Sequence, residues 1–147
     1  MRYQERQAGT EDTQWLWSLY VDLLKPYVSM QWGWQQRYQE EMFATHLPAS
    51  QFRILTSTST RVAAYLMNRE ADHFYLKMLL VTGDRQRQGL GKMIVRKLQQ
   101  QANQESLPLK LSVIKANPVV EFYTRLGFTV YAEDNDSTSL IYQPRVK

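Results

Sequence analysis

The sequence predicts a mixed α/β fold, and three observations carry that prediction. Short apolar or alternating runs occur at 1–8, 52–57, 61–68, 73–81, 109–113, 128–133 and 138–143. Between them lie segments with apolar residues at helical spacing. Gly and Pro punctuate the joints, and no repeat or linker interrupts the order. At 147 residues the chain suits one compact domain over 1–147 that can bury a core without staples.

The elements follow in order. "MRYQERQA" alternates weakly, as a first strand would. Thr10 or Asp12 can cap the next helix through a side-chain oxygen. In "WLWSLYVDLL" the residues Trp15, Leu19 and Leu23 recur at helical spacing, and Lys25-Pro26 is expected to end that helix. A second helix is expected from about Trp34 to Thr45, closed by Pro48. "FRILTS" and "RVAAYLMN" flank a polar "TST" that reads as a hairpin turn. "HFYLKMLLV" is apolar enough to suggest a strand buried on both faces. Leu90, Ile94, Leu98 and Ala102 mark the inner face of a third helix. "LKLSV" is a strand. In "NPVVEFYTRL", Asn117 can cap a helix with Pro118 at its first position, and Gly127 can end it. "FTVYAE" and "TSLIYQ" make a last hairpin.

Composition excludes several classes of function. The chain has no Cys, which removes disulfides, thiolate metal sites and cysteine nucleophiles. Its two His are far apart in sequence, so no metal is expected. No run approaches a membrane span, and the polar start is no secretory signal, so a cytoplasmic protein without membrane contact is expected. The net charge of +4 suits an anionic ligand. The cations are scattered and no aromatic–basic strand motif appears, which argues against nucleic acid.

The chemistry-bearing stretch is "RQRQGLGKM" at 85–93, placed where a strand turns into a helix. Such a joint turns unpaired backbone N–H groups and a positive helix end toward one point, which suits phosphate. A Walker A loop would need glycine at Gln86 and Ser or Thr at Met93. A dinucleotide fingerprint would need glycine at Ile94. The pattern Q/R-x-x-G-x-G/A is met in full by Gln86-Arg87-Gln88-Gly89-Leu90-Gly91. Taken alone, a tight turn with exposed basic residues would read the same.

The motif has company. "LLVTGDRQRQGLGKMIVRKL" and then "LKLSVIKANPVVEFYTRLGF" resemble, in order and spacing, two successive segments of the GCN5-related N-acetyltransferase (GNAT) superfamily. The resemblance spans nearly the whole chain. It implies a GNAT-like acyl-CoA N-acyltransferase fold: a central mixed, mostly antiparallel sheet of six or seven strands flanked by about four helices. It implies acetyl-CoA as co-substrate. Main-chain groups of Leu79 and Val81 would then bind the acetyl carbonyl and the pantetheine arm. The amides of Gln86, Arg87, Gln88, Gly89, Leu90 and Gly91, with Lys92, would hold the pyrophosphate. Asn117 would hydrogen-bond the pantetheine, and Tyr123 would face the thioester sulfur. Isolated, Asn117 would read as a helix cap and Tyr123 as a core aromatic.

Amine acetylation needs a neutral amine, a polarised carbonyl and a proton for the departing thiolate. Neutralising a lysine-like amine at pH 7 costs about 4–5 kcal/mol. A backbone N–H at Val81 could stabilise the developing oxyanion. Tyr123 suits the last task as general acid, because a phenol is protonated at pH 7. Direct transfer is expected, since no Cys can carry the acyl group. Many relatives place a Glu on the strand before the loop, whereas this chain has Lys77 near that place. Glu40, Glu41, Asp72 and Glu121 are base candidates on position alone, and a water chain is equally open; His46 and His73 are not favoured. The family's early helices wall the acceptor site, which puts Trp32 and Trp34 there, where aromatic faces can hold an ammonium. Core and lid packing is the competing reading for both. The acceptor is a small-molecule or protein amine. Family members often dimerise through sheet edges or C-terminal strands. A non-catalytic acyl-CoA-binding sensor is the alternative function.

Overall fold

The computed structural model describes residues 2–145. In chain order it has β1 (Gln4–Gln7), α1 (Thr13–Gln31), α2 (Gln36–His46), β2 (Arg53–Ser57), β3 (Thr60–Arg69) and β4 (Phe74–Val81). Then come α3 (Leu90–Glu105), β5 (Leu109–Ile114), α4 (Val120–Arg125), β6 (Thr129–Glu133) and β7 (Ser137–Tyr142). Short 3-10 turns lie at Thr10–Asp12, Ala49–Gln51 and Gly83–Arg85. The strands form one seven-stranded sheet in the order β1-β2-β3-β4-β5-β7-β6. β4 and β5 pair in parallel, while β1–β2, β2–β3, β5–β7 and β6–β7 are antiparallel. A parallel neighbour needs a crossover, and α3 provides it. This is the mixed, mostly antiparallel sheet with four helices that the family resemblance implies.

β4 departs from expectation. Phe74, Leu76 and Leu80 are buried, but Tyr75, Lys77, Leu79 and Val81 are half-buried, so the strand is not covered equally on both faces. Its ladder with β5 covers Phe74–Leu76 against Leu109–Leu111. The strand then continues five residues past the last pair to Val81.

The chain forms two compact units. The first comprises Met1–Leu66 and Met78–Gln88, the second Met67–Lys77 and Gly89–Lys147. In the first unit, Leu16, Leu19 and Tyr20 of α1 join Phe43, Leu47, Phe52, Ile54, Ala64 and Leu80 in one buried cluster. α1 does not stop at Pro26 but runs through it to Gln31. Pro26 has no N–H to give the carbonyl of Asp22, and Asp22 lies on the exposed side where water can serve it. Val28, 5% exposed, keeps the last turn packed. Gly33 at φ +84 ends the helix, its N–H donating to the Ser29 carbonyl.

Asp12 begins α1 without capping it. Its carboxylate instead accepts from Arg6 Nη1 (2.7 Å) and Nη2 (2.9 Å), from Arg61 Nη1 (3.0 Å) and from the Gly9 N–H (2.9 Å). Two guanidinium groups outcompete neutral amides for a buried charge. The β2–β3 hairpin turns on Thr58 and Ser59 alone, both left-handed at φ +50 and +66. That conformation matches the strand twist but favours Asn-Gly over these residues.

The second unit buries Leu90, Ile94, Val95, Leu98 and Ala102 of α3, together with Leu109, Leu111, Leu126, Phe128 and Leu140. α4 begins at Val120, two residues later than Pro118 at the first position would require. The Val119 N–H donates to the Asn117 carbonyl, which closes a three-residue turn around Pro118 and delays the helix. Gly127, at φ +99, follows the end of α4 as expected. No helix among the described residues is long and apolar enough to cross a membrane.

Candidate active site

The glycine-rich loop starts from Thr82. Its carbonyl accepts from the N–H groups of Arg85 (2.9 Å) and Gln86 (3.1 Å). The Gln86 amide is therefore engaged inside the loop. Its side chain also braces the turn, Nε2 donating to the Val81 carbonyl at 2.9 Å. Gln88 does the same to the Asp84 carbonyl at 2.8 Å. Arg87 and Gly89 both sit in the left-handed region, at φ +66 and +83. Gly89 is the residue before α3 and offers no side-chain cap. The first-turn amides of Leu90, Gly91 and Lys92 thus have neither an intrahelical partner nor a cap, and the helix dipole adds positive potential there. A Cβ at Gly89 would meet nothing within 4 Å, so its backbone angle, not crowding, makes glycine suitable.

Two buried oxygens stand without a partner among the described residues: Thr82 Oγ1 and Asn117 Oδ1. Buried polar atoms are almost always paired, so each asks for an explanation. Asn117 is not the cap of α4, and its side chain is left for another use. Sequence reasoning missed Thr82; a Thr directly after an apolar strand was the available signal. In α4, Tyr123 is 7% exposed and packs edge-on against Phe122 and Phe128. Burial pushes its phenol above the ordinary value of 10 and keeps it protonated at neutral pH.

The predicted acceptor residues lie in the first unit. Trp34 is half-buried in a cluster with Trp17 and Tyr20, with ring centroids 6.3 and 6.4 Å away. Its indole N–H donates to Gln36 Oε1 (2.8 Å), and Gln36 Nε2 donates to Glu40 Oε2 (3.2 Å). Lys25 Nζ lies 5.4 Å from the Trp34 ring centroid, so this chain's own ammonium already uses that ring. Trp32, at the end of α1, is 54% exposed. Of the base candidates, Asp72 pairs with His73 and Glu121 with Arg125. Lys77 on β4 is half-buried. Among the described residues no group of three or more His, Asp or Glu is arranged to hold a metal.

A family profile for the acetyltransferase (GNAT) domain matches residues 26–144. The chain belongs to the GNAT family. It takes its place among the N-acetyltransferases, and the fold agrees. The PaiA N-acetyltransferase of Thermoplasma acidophilum, solved with coenzyme A, aligns at a TM-score of 0.78 and 16% identity, covering 97% of this chain and 99% of that one. The ribosomal-protein-S18-alanine N-acetyltransferase of Escherichia coli aligns at 0.70 and 18% identity, covering 99% and 96%. The N-acetylglutamate synthase of Neisseria gonorrhoeae, solved with coenzyme A and N-acetylglutamate, aligns at 0.67 and 17% identity. There this GNAT chain is 99% covered but spans only 36% of the larger protein. No curated protein matches it in sequence.

Proposed function

We propose that this GNAT protein moves an acetyl group directly from acetyl-CoA to a primary amine of a small molecule or protein. The observation that carries the reading is the start of α3, where a left-handed glycine leaves the first-turn amides uncapped. The orphaned Asn117 Oδ1 supports it, since a buried acceptor fits an amide N–H of the pantetheine arm. Both features fit coenzyme A.

Bound acetyl-CoA supplies an activated acyl thioester. The amides from Arg87 to Gly91, with Lys92, hold its diphosphate, and Gln86 and Gln88 brace the loop that presents them. Leu79 and Val81 serve the acyl end through their main chain. Because Gln86 occupies the Val81 carbonyl, the N–H of Val81 is its natural contribution. Asn117 orients the arm. Tyr123 holds a proton at its hydroxyl toward the sulfur. With its pKa raised well above the 8.5 of an ordinary thiol, it stabilises a thiolate as a hydrogen-bond donor more readily than it surrenders the proton. Trp32 and Trp34 line the acceptor side, with Glu40 fixed by Gln36 as the nearest acid to them in the hydrogen-bond chain. The related folds include enzymes named for an amino acid and for a ribosomal protein, so the acceptor stays open between those classes.

A non-catalytic acyl-CoA sensor is the second reading. It draws on Lys77, a cation on β4 near the place where many relatives carry a Glu. Thermal unfolding with millimolar acetyl-CoA, followed by thioester turnover against an amine panel, tests both. A cofactor-dependent rise in Tm that Gly91→Trp abolishes is expected. No rise in the wild type would end the acetyl-CoA reading, and binding without CoA release on any amine would favour the sensor.

A further inference from the structure

In the second unit the two faces of the sheet are covered unequally. On β4, β5 and β7 the side chains of Phe74, Leu76, Leu109, Leu111 and Leu140 are buried. Successive residues of a strand point to opposite faces, so the residues between these form the other face. There Tyr75, Lys110 and Ser139 are half-buried and Ser112 is exposed. The ladder sets Tyr75 beside Lys110 and Ser112 beside Ser139. Lys77, two residues on from Tyr75, continues that row and is half-buried. The two serine hydroxyls share one hydrogen bond at 2.9 Å, which leaves one O–H to give outward.

This face is cationic. Lys77 and Lys110 stand on it, while β4, β5 and β7 contain no Asp or Glu. The acid that reaches it is Asp72, in the turn before β4. Its carboxyl is held low chiefly by the hydrogen bond to His73, with Lys110 a smaller influence. Asp72 is 86% exposed, so it balances Lys110 weakly. Lys77 is the first residue of β4 past the Leu76–Leu111 pair, where the ladder with β5 stops. Two aromatic rings able to hold a cation are already served. Lys110 Nζ lies 5.5 Å from the Tyr131 ring centroid, as Lys25 Nζ lies 5.4 Å from that of Trp34. What the face has to offer is positive charge and a hydroxyl donor.

We propose that Lys77 and Lys110 select an acceptor that is itself anionic: an amino acid whose carboxylate lies a few bonds from the amine that is acetylated. The proposal rests on the acetyl-transfer reading above and narrows its acceptor. Leu79, which serves the acyl end in that reading, is two residues beyond Lys77, about 7 Å along the strand. An amine reacting there brings a nearby carboxylate within reach of the flexible lysine stem. Lys77 meets the carboxylate, and Lys110 with the serine hydroxyls draws the anion toward it. The same two charges repel a polyamine, so they discriminate as well as attract. The bonds exchanged stay the same: the amine nitrogen bonds to the acetyl carbon, the C–S bond breaks, and the proton that nitrogen loses balances the one that sulfur gains.

CoA release by the intact chain at saturating acetyl-CoA, measured with matched amines, tests this. Each pair is an amino acid and its decarboxylated amine: phenylalanine and phenethylamine, tyrosine and tyramine, histidine and histamine. Spermidine serves as the polycation. In the wild type kcat/KM is expected to favour the amino acid of a pair about 10-fold. Lys77→Met is expected to cut that ratio about 10-fold, through KM for the amino acid, and Lys110→Met about 3-fold. Lys77→Arg keeps the charge and is expected to keep the preference, which separates charge from packing. A wild type that prefers the decarboxylated amines or spermidine, or a ratio that Lys77→Met leaves untouched, overturns the amino-acid assignment and leaves the acetyl-transfer reading standing. No CoA release with any amine brings down both.

Discussion

In the α1–α2 segment the buried polar atoms have found partners within the chain. The Tyr20 hydroxyl donates to Gln39 Oε1 at 3.1 Å, and at the start of α1 the buried Asp12 is gripped by two arginines. Around α4 the pattern reverses. Asn117 Oδ1 is buried with no partner, and the Tyr123 phenol is desolvated without a compensating charge beside it. Polar groups satisfied inside the fold serve the fold, while those left unsatisfied hold binding capacity that stability alone does not need. The first segment is therefore expected to respond to mutation through unfolding, the second through ligand binding and turnover.

The sharpest way to break that contrast is Tyr123→Phe. We expect kcat to fall about 100-fold with acetyl-CoA affinity kept within about 2-fold. Steady-state kinetics beside calorimetry would show it, and unchanged turnover would remove Tyr123 from the mechanism. Asp12→Asn should act in the opposite sense, lowering stability by about 2 kcal/mol in urea unfolding at pH 7 without altering CoA binding. The Arg6 hydrogen bonds, helped by the Gly9 N–H and Arg61, hold the Asp12 carboxyl well below the usual range. Its contribution is thus complete above the unfolded value of about 3.9 and drains away as pH falls toward the folded one. The gap between wild type and Asp12→Asn should narrow steadily as pH falls below the unfolded value; a gap of the same size at pH 7 and at pH 2 would contradict this account. The smallest effects come from a matched pair. Asn117→Leu should weaken CoA about 5-fold yet leave the unliganded Tm unchanged or higher, because it deletes an unpaired acceptor. Gln39→Leu should cost about 1 kcal/mol by stranding the Tyr20 hydroxyl, with CoA affinity intact. If both variants merely lost stability, the contrast between the segments would be gone.

Local signals in the sequence carried well where a residue's own backbone preference decides the outcome. Gly89 and Gly127 mark helix boundaries because only glycine takes those angles cheaply, and both do so at φ +83 and +99. The helical stripe from Leu90 to Ala102 is buried as its spacing implies. Pro26 misled because a single lost hydrogen bond was weighed without the packing of Val28 beyond it. Asp12 misled because its carboxylate is taken by Arg6 on β1 and by Arg61, 49 residues away, neither of which a capping rule weighs. Asn117 was legible as a polar residue after a strand, but only the turn around Pro118 shows why it is not a cap. The basic row on the sheet was not legible at all. Lys77 and Lys110 lie on separate strands, and the sequence gives no sign that those strands pair with both lysines on one face.

The position of β7 has a consequence for how the protein is made. β5 and β6 each pair with β7 and are not neighbours of one another. While residues 137–142 are still inside the ribosomal tunnel, the emerged β5 and β6 each lack that partner strand, and no local hairpin can substitute for it. The second unit should therefore complete its sheet only once Tyr142 has emerged, and a nascent chain stalled before Ser137 is the form for which chaperone capture and proteolysis compete.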